Sequence, residues 1–169
     1  MSIGDFTLLE GSSSNGGRGS RTYNVATGAS TYIINPGEPV TRTATGPTVQ
    51  RMYGASTGTA QPVVATDYVV GIAQTKSNQT TSAAGTVDII PTNSDLTWLV
   101  TPVTAADFTP QSAYDALVGY RVLISSDGTT YTLLDADSAT SGLVIMPLNI
   151  ALYPGKVAVA FRQALSDVN

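Results

Sequence analysis

The chain contains no histidine and no cysteine, and only two lysines among its 169 residues. Histidine is the one side chain whose ordinary pKa lies near neutrality, and the cysteine thiolate is the most nucleophilic common side-chain group. Their absence removes proton shuttling by imidazole, thiol chemistry and the ligands of most transition-metal sites. Charge is also scarce. Asp, Glu, Lys and Arg make up 12% of the chain, against about 25% in an average protein. Large aromatics are few, with three Phe and one Trp. The first residues carry no basic region and no apolar run longer than Leu8-Leu9, so no secretory signal is expected. No segment is apolar for long enough to span a bilayer as a helix, so no membrane partner is expected. These absences point away from an enzyme and toward a structural or binding protein, with no catalytic residue, no metal and no cofactor.

What remains is a chain rich in Thr, Ser, Ala, Val and Gly, with a core to be built from Val, Ile, Leu, Ala and Tyr. A chain of 169 residues gives one domain as the default and buries roughly two-thirds of its unfolded surface. The net charge of −4 argues against nucleic acid as a partner, because that electrostatic attraction needs clustered Lys and Arg. The sign changes along the chain: the stretch up to Arg51 is mildly basic and the remainder acidic. Gly11 to Ser20, GSSSNGGRGS, has the composition of a flexible linker, since Gly and Ser bury too little to offset their ordering entropy. Residues 1–22 therefore read as an N-terminal arm and residues 23–169 as the β-rich domain. Phe6, Leu8 and Leu9 are the arm's apolar anchors for a partner surface, and Arg18 and Arg21 its charges for an acidic one. As an arm, it is expected to be removable without loss of domain stability.

Beyond Tyr23 the punctuation is that of β structure. Tyr32-Ile33-Ile34 runs into the turn signal Asn35-Pro36-Gly37, and Val40 to Thr43 follows as a further extended run. Tyr68 to Ala73 is nearly continuous in apolar residues, the pattern of a strand covered on both faces, with Gly71 marking a bulge or a close backbone approach. Gln74 to Gly85 is a polar loop. Val87 to Ile90 and Thr97 to Val100 are strands, each followed by a proline, which has no N–H for a ladder. Thr109 as a cap, Pro110 at the first helical position, an apolar side of Ala113, Tyr114, Ala116 and Leu117, and Gly119 as the left-handed stop predict one helix from Pro110 to Val118. Strands at Tyr120 to Ser125 and Thr130 to Leu134 flank the hairpin signal Asp127-Gly128, and Leu143 to Met146 and Val157 to Phe161 complete the set. In the last, Val157, Val159 and Phe161 form one apolar face and the other face is mixed. The fold class is mainly β, a single sandwich or barrel-like domain with one short helix.

Several residue groups invite a chemical reading. Asp127, Asp135 and Asp137 offer oxygen ligands of the kind calcium takes, but the spacing is not that of an EF-hand and the chain has only two glutamates, Glu10 and Glu38. A carboxylate pair can cleave a glycosidic bond without histidine, yet no motif brings two aspartates together. Lys76 and Lys156 belong to no nucleophile motif. Asn15 to Gly19 lacks the Gly-Lys-Ser/Thr ending of a phosphate loop. Asn78-Gln79-Thr80 matches a glycosylation sequon in a Thr-rich loop where such a triplet arises by chance. An exposed cluster of Trp98 with tyrosines would make a sugar-stacking platform, and a carbohydrate- or receptor-binding β-sandwich of a phage tail or adhesin is the alternative function.

Gly37-Glu38-Pro39-Val40, Val63-Val64, Tyr68-Val69-Val70-Gly71-Ile72-Ala73 and Ala84-Gly85-Thr86-Val87-Asp88-Ile89-Ile90 follow one another in an order that resembles the small β domain of tailed-bacteriophage head decoration proteins, or structural cement proteins. In that family a G-x-P-V strand, a V-G-I-A strand and a G-x-V strand recur in this sequence. Ser112 to Val122, Gly142 to Ile145 and Pro154 to Arg162 resemble the longer, podovirus-like members. The likeness spans about residues 30 to 162 and brings no catalytic residue. It implies a virion protein on the outer capsid surface whose partners are the major capsid protein and other copies of itself, as trimers in many members. It also implies that neighbouring capsid subunits are held together against internal DNA pressure.

Overall fold

The computed structural model describes residues 6–9, 20–27, 33–42, 47–52, 58–60, 69–92, 96–102, 104–126, 131–137 and 143–161. Its strands are β1 (Thr7–Leu8), β2 (Arg21–Val25), β3 (Pro39–Arg42), β4 (Val49–Arg51), β5 (Gly58–Ala60), β6 (Val69–Ala73), β7 (Gly85–Pro91), β8 (Thr97–Val100), β9 (Arg121–Ser126), β10 (Tyr131–Asp137), β11 (Leu143–Ile145) and β12 (Val157–Phe161). Between β8 and β9 lie a 3₁₀ turn, Ala105–Phe108, and the helix α1, Gln111–Leu117. The fold is mainly β, as the sequence predicts.

The strands divide into two sheets. A closed five-stranded barrel has the order β2-β4-β3-β6-β7, with β7 pairing back onto β2. Closure leaves no free edge along this sheet. A seven-stranded sheet has the order β1-β8-β12-β11-β9-β10, with β5 also paired to β9. Two excursions connect the sheets. β1, from the start of the chain, pairs with β8, and β5, from the connection between two barrel strands, pairs with β9 from Gly58↔Ser126 to Ala60↔Ile124.

Each sheet has its own core, and β6 serves both. Val25, Ile34, Val40, Val49, Val70 and Ile89 form part of the barrel cluster, while Val69 and Ile72 join the larger cluster built around Trp98, Tyr114 and Phe161. All five residues of β6 are buried, which accounts for its unbroken apolar sequence. A register shift opposite Val40/Thr41 leaves Val70 as the extra residue, so that Val70 and Ala73 face one core and Val69 and Ile72 the other. Gly71 sits at this shift. A Cβ there would lie 2.2 Å from the Ile90 carbonyl oxygen and 2.3 Å from Ile89 Cγ2. Both the bulge and the close approach expected of Gly71 are present.

Three local expectations need correction. Ile33 and Ile34 lie outside any strand; Ile34 N donates to Ser77 Oγ (2.8 Å) rather than to a ladder carbonyl, and Ile34 O accepts from Ser77 N (2.9 Å), so Ile34 ties down the polar loop. Thr109 does not cap α1. Its N–H and hydroxyl both turn back to Ala106 O, at 3.3 and 3.2 Å, closing the 3₁₀ turn, and Pro110 occupies the cap position. β12 is buried at all five residues rather than on one face, because it runs between β8 and β11 and its second face is made of the short Ala158 and Ala160. Gly119 ends the helix at φ 90, the left-handed conformation its position calls for.

Candidate functional site

Three of the segments likened above to decoration proteins are neighbours in space, whereas Ser112 to Val122, Leu143 to Ile145 and Pro154 to Phe161 belong to α1 and the other sheet. Pro39–Arg42, Val69–Ala73 and Gly85–Pro91 are the adjacent barrel strands β3, β6 and β7, joined through Val40↔Gly71 and Ile72↔Ile90. Val63-Val64 lies outside the described residues. Immediately before β3, the turn from Asn35 to Glu38 is organised by a buried carboxylate. Glu38 is fully buried and Arg51, from β4, is 5% exposed. Arg51 Nε donates to Glu38 Oε2 (2.9 Å) and Arg51 Nη2 to Oε1 (2.8 Å), a two-pronged pair. Asn35 completes the set, donating its backbone N–H to Oε2 (3.0 Å) and its Nδ2 to Oε1 (3.1 Å). Each carboxylate oxygen thus accepts two hydrogen bonds, which is what a buried charge requires.

The outer side of the barrel at β2 and β7 is polar. Thr22 is paired with Asp88 and Asn24 with Thr86, and Thr22 Oγ1 donates to Asp88 Oδ1 (2.6 Å). The loop from Gln74 to Ala84 lies against this face. Asp88 N donates to Thr75 Oγ1 (3.0 Å), and Thr86 N donates to Asn78 Oδ1 (2.7 Å). Asn78, the acceptor of the sequon, therefore has a structural bond to β7. Lys76 is exposed in this loop. The surface presents hydroxyls, amides and a carboxylate paired with Thr22.

The residues expected at a partner contact are dispersed. Phe6 lies in the chain's own core, 3% exposed, with its ring 5.5 Å from that of Phe161. Its N–H donates to Gly37 O (3.0 Å), and Leu9 N donates to Thr97 O (2.9 Å). Leu8 and Leu9 are partly buried against the same core. The physical reason is local: the β8 edge beside Phe161 is an apolar, ladder-forming site within reach of the chain's own N-terminal segment, and these three side chains occupy it. Arg21 is exposed at the start of β2, opposite Ile89. Arg18 lies outside the described residues.

Trp98 is fully buried, so it cannot contribute to a sugar-stacking platform. Its Nε1 has no hydrogen-bond partner among the described residues. Tyr114 is also buried, with its hydroxyl donating to Met146 O (2.8 Å) and accepting from Ala158 N (3.0 Å). Burial pushes its pKa up to about 12; the Ala158 N–H opposes this and the Asp115 charge adds to it. Asp127 lies outside the described residues, as do the side chains of Asp135 and Asp137. Among the described residues no three acidic or other metal-ligating side chains gather. Sequence reasoning missed the Glu38–Arg51 pair; the signal available was a glutamate set between Gly37 and Pro39 at the head of an apolar strand.

Comparison of the chain with family models, with curated proteins and with solved structures finds no match.

Proposed function

We propose that this chain is a phage head decoration protein: it binds the outer surface of a capsid and stabilises contacts between major capsid subunits. The observation that carries the reading is the adjacency of β3, β6 and β7, since the three segments that resemble the family's recurring strands form one continuous part of a closed barrel. A scattered placement would have left the resemblance as three unrelated strand motifs. The physical character of the barrel is consistent with such work. A clamp has to carry tension between subunits without opening; a closed sheet offers no edge to peel, and the Glu38–Arg51 pair joins β4 to the turn before β3 inside it.

The polar face at β2, β7 and the 74–84 loop is the surface we assign to the capsid. The arm's apolar residues are engaged within the chain, so docking relies on hydroxyl and amide groups and on Arg21 rather than on Phe6. The test is reconstitution. Capsids lacking the protein are incubated with it, sedimented, and the bound copies counted per major capsid subunit. Saturation at a ratio fixed by the lattice, together with greater resistance of the filled particles to heat, is the expected result. Failure to co-sediment with any expanded capsid overturns it.

A further inference from the structure

The connection between β11 and β12 passes beside α1 and the 3₁₀ turn, and an open groove of about 840 Å3 runs between them. Pro110, Gln111 and Asp115 line one side, and Pro147, Leu148 and Ile150 the other. A smaller recess of about 120 Å3 shares Thr109 and Ile150 with it and is lined by Pro102, Phe108, Pro154 and Lys156.

The walls are fixed in place before anything binds. Gln111 Nε2 donates to Leu148 O (2.8 Å) and to Asp115 Oδ1 (2.7 Å), and Gln111 Oε1 accepts from Ile150 N (3.0 Å). Tyr114, one helical turn further in, ties the helix to both Met146 and Ala158. Little conformational freedom is left to lose on binding, which is the main cost a preorganised site avoids. The lining is largely apolar, and Leu152, next to the lining residue Ala151, is 70% exposed.

Lys156 lines the recess and Asp115 the groove. Lys156 is half-buried, donates Nζ–H to Thr101 Oγ1 (2.8 Å) and makes no ion pair among the described residues. An ammonium beside an apolar recess, with one neutral acceptor, calls for an anion. Asp115, the groove's one charged lining residue among the described residues, accepts from Gln111 and offers no site for an anion. The recess has the liquid volume of about four waters, enough for one short side chain and too small for a drug-sized ligand, whereas the groove is open along its length.

We infer that this groove binds an extended segment of a partner protein that lays an aliphatic side chain against Leu148 and Ile150 and sets a neighbouring Asp or Glu carboxylate on Lys156.

The probe is acetyl-Leu-Asp-amide, titrated into the full chain and followed by two-dimensional amide NMR. Saturable shifts are expected for the amides of Phe108, Thr109 and Gln111 and of the non-proline residues of 148–156. Acetyl-Leu-Asn-amide should bind about tenfold more weakly, the factor expected for loss of one charge-assisted hydrogen bond. Lys156→Gln should bring the two peptides level, with resonances outside the groove unmoved. Should that variant fail to fold, the Asp and Asn peptides on the unaltered chain still decide the matter. Absence of saturable shifts, equal binding of the two peptides, or discrimination that survives in Lys156→Gln overturns the inference. So does acetate reproducing the same shifts at the same concentration, which would mark a simple anion site, or 4-methylpentanoate outcompeting the peptide, which would mark a small-molecule pocket.

Discussion

Replacing Phe6 with alanine removes a ring from the main core. The side chain is 3% exposed and lies 5.5 Å from Phe161, tilted by 34°. Burying a side chain of this kind stabilises by about 1.5 to 3 kcal/mol, and a tilted aromatic pair adds about 0.5 to 1.5 kcal/mol. Together they give roughly 2 to 4.5 kcal/mol, which overlaps the about 3 to 5 kcal/mol that Phe-to-Ala changes cost in cores. Against a total stability of about 5 to 15 kcal/mol, that is a large fraction. Trp98 is the only tryptophan and is fully buried, so its emission should shift to the red on unfolding and report the transition. In urea, with a slope of about 2 kcal/mol per M, the midpoint should fall by about 1 to 2 M. Phe6→Leu, which restores most of the apolar burial without the ring pair, should lie between the two. A loss below about 0.5 kcal/mol for Phe6→Ala, the range of ordinary surface changes, would show that the N-terminal segment is not docked and that the arm reading holds.

Gly71→Ala should destabilise by about 1 to 3 kcal/mol or more in thermal unfolding, because its new Cβ meets the Ile90 backbone rather than a movable side chain. Glu38→Gln leaves Arg51 buried without its counter-charge and should cost about 3 to 5 kcal/mol in the same assay, whereas Glu38→Leu combined with Arg51→Met should cost less than either single change. A Thr7→Cys and Leu99→Cys pair, placed at directly opposed positions of β1 and β8 in a chain otherwise free of cysteine, should close within one chain on oxidation and raise the melting temperature; disulfide-linked dimers on a gel would contradict the intrachain pairing. Tyr114 keeps its proton in the folded chain up to about pH 12, while in the unfolded chain it ionises near 10. Between those values the unfolded state binds fewer protons, so stability should fall as pH rises from about 10 toward 12, and Tyr114→Phe should flatten that part of the curve.

Elements set by nearest neighbours in the chain were legible from the sequence. The apolar spacing of Ala113, Tyr114, Ala116 and Leu117, stopped by Gly119, corresponds to α1 within a residue at each end. The unalternated run at β6 was legible as a strand covered on both sides because it is short and rich in β-branched residues, with a glycine in its middle. Pairing was not. The parallel contact of β2 with β4 at Val25↔Val49 and the excursion of β5 to β9 join residues distant in sequence, and neither leaves a local signature. Ile33-Ile34 had the apolar character of a strand, but Ile34 plugs the barrel cluster and binds Ser77. Alanine misled at β12: it reads as neutral in an alternation, yet its shortness is what lets a strand be covered closely on that face.

At the candidate site, the apolar character of Phe6, Leu8 and Leu9 was legible, but their packing against the chain's own core was not, because composition cannot tell a partner's surface from the chain's own β8 edge. Glu38 and Arg51 escaped notice for a related reason. In a count of charges they are two solvated side chains of opposite sign, and only the fold brings them within 2.8 Å.

The turn they hold is a junction. Gly37 O accepts from Phe6 N, Gly37 N donates to Ala73 O, and Glu38 O accepts from Ala73 N. The N-terminal segment, β3 and β6 therefore meet at the two residues whose geometry the buried carboxylate fixes through Asn35 and Arg51. An ion pair with no surface exposure adds little net stability over an apolar replacement, but it accepts hydrogen bonds only from donors in the right directions. Here the donors are the turn itself and a neighbouring strand, so the pair selects one conformation of the turn. It follows that loosening Glu38 should loosen β1 as well: in the Glu38→Gln variant the amides of Phe6 and Leu9, more than those of β12, should lose protection from hydrogen exchange. Equal loss at both would mean that the pair contributes to global stability alone and has no part in placing the N-terminal segment.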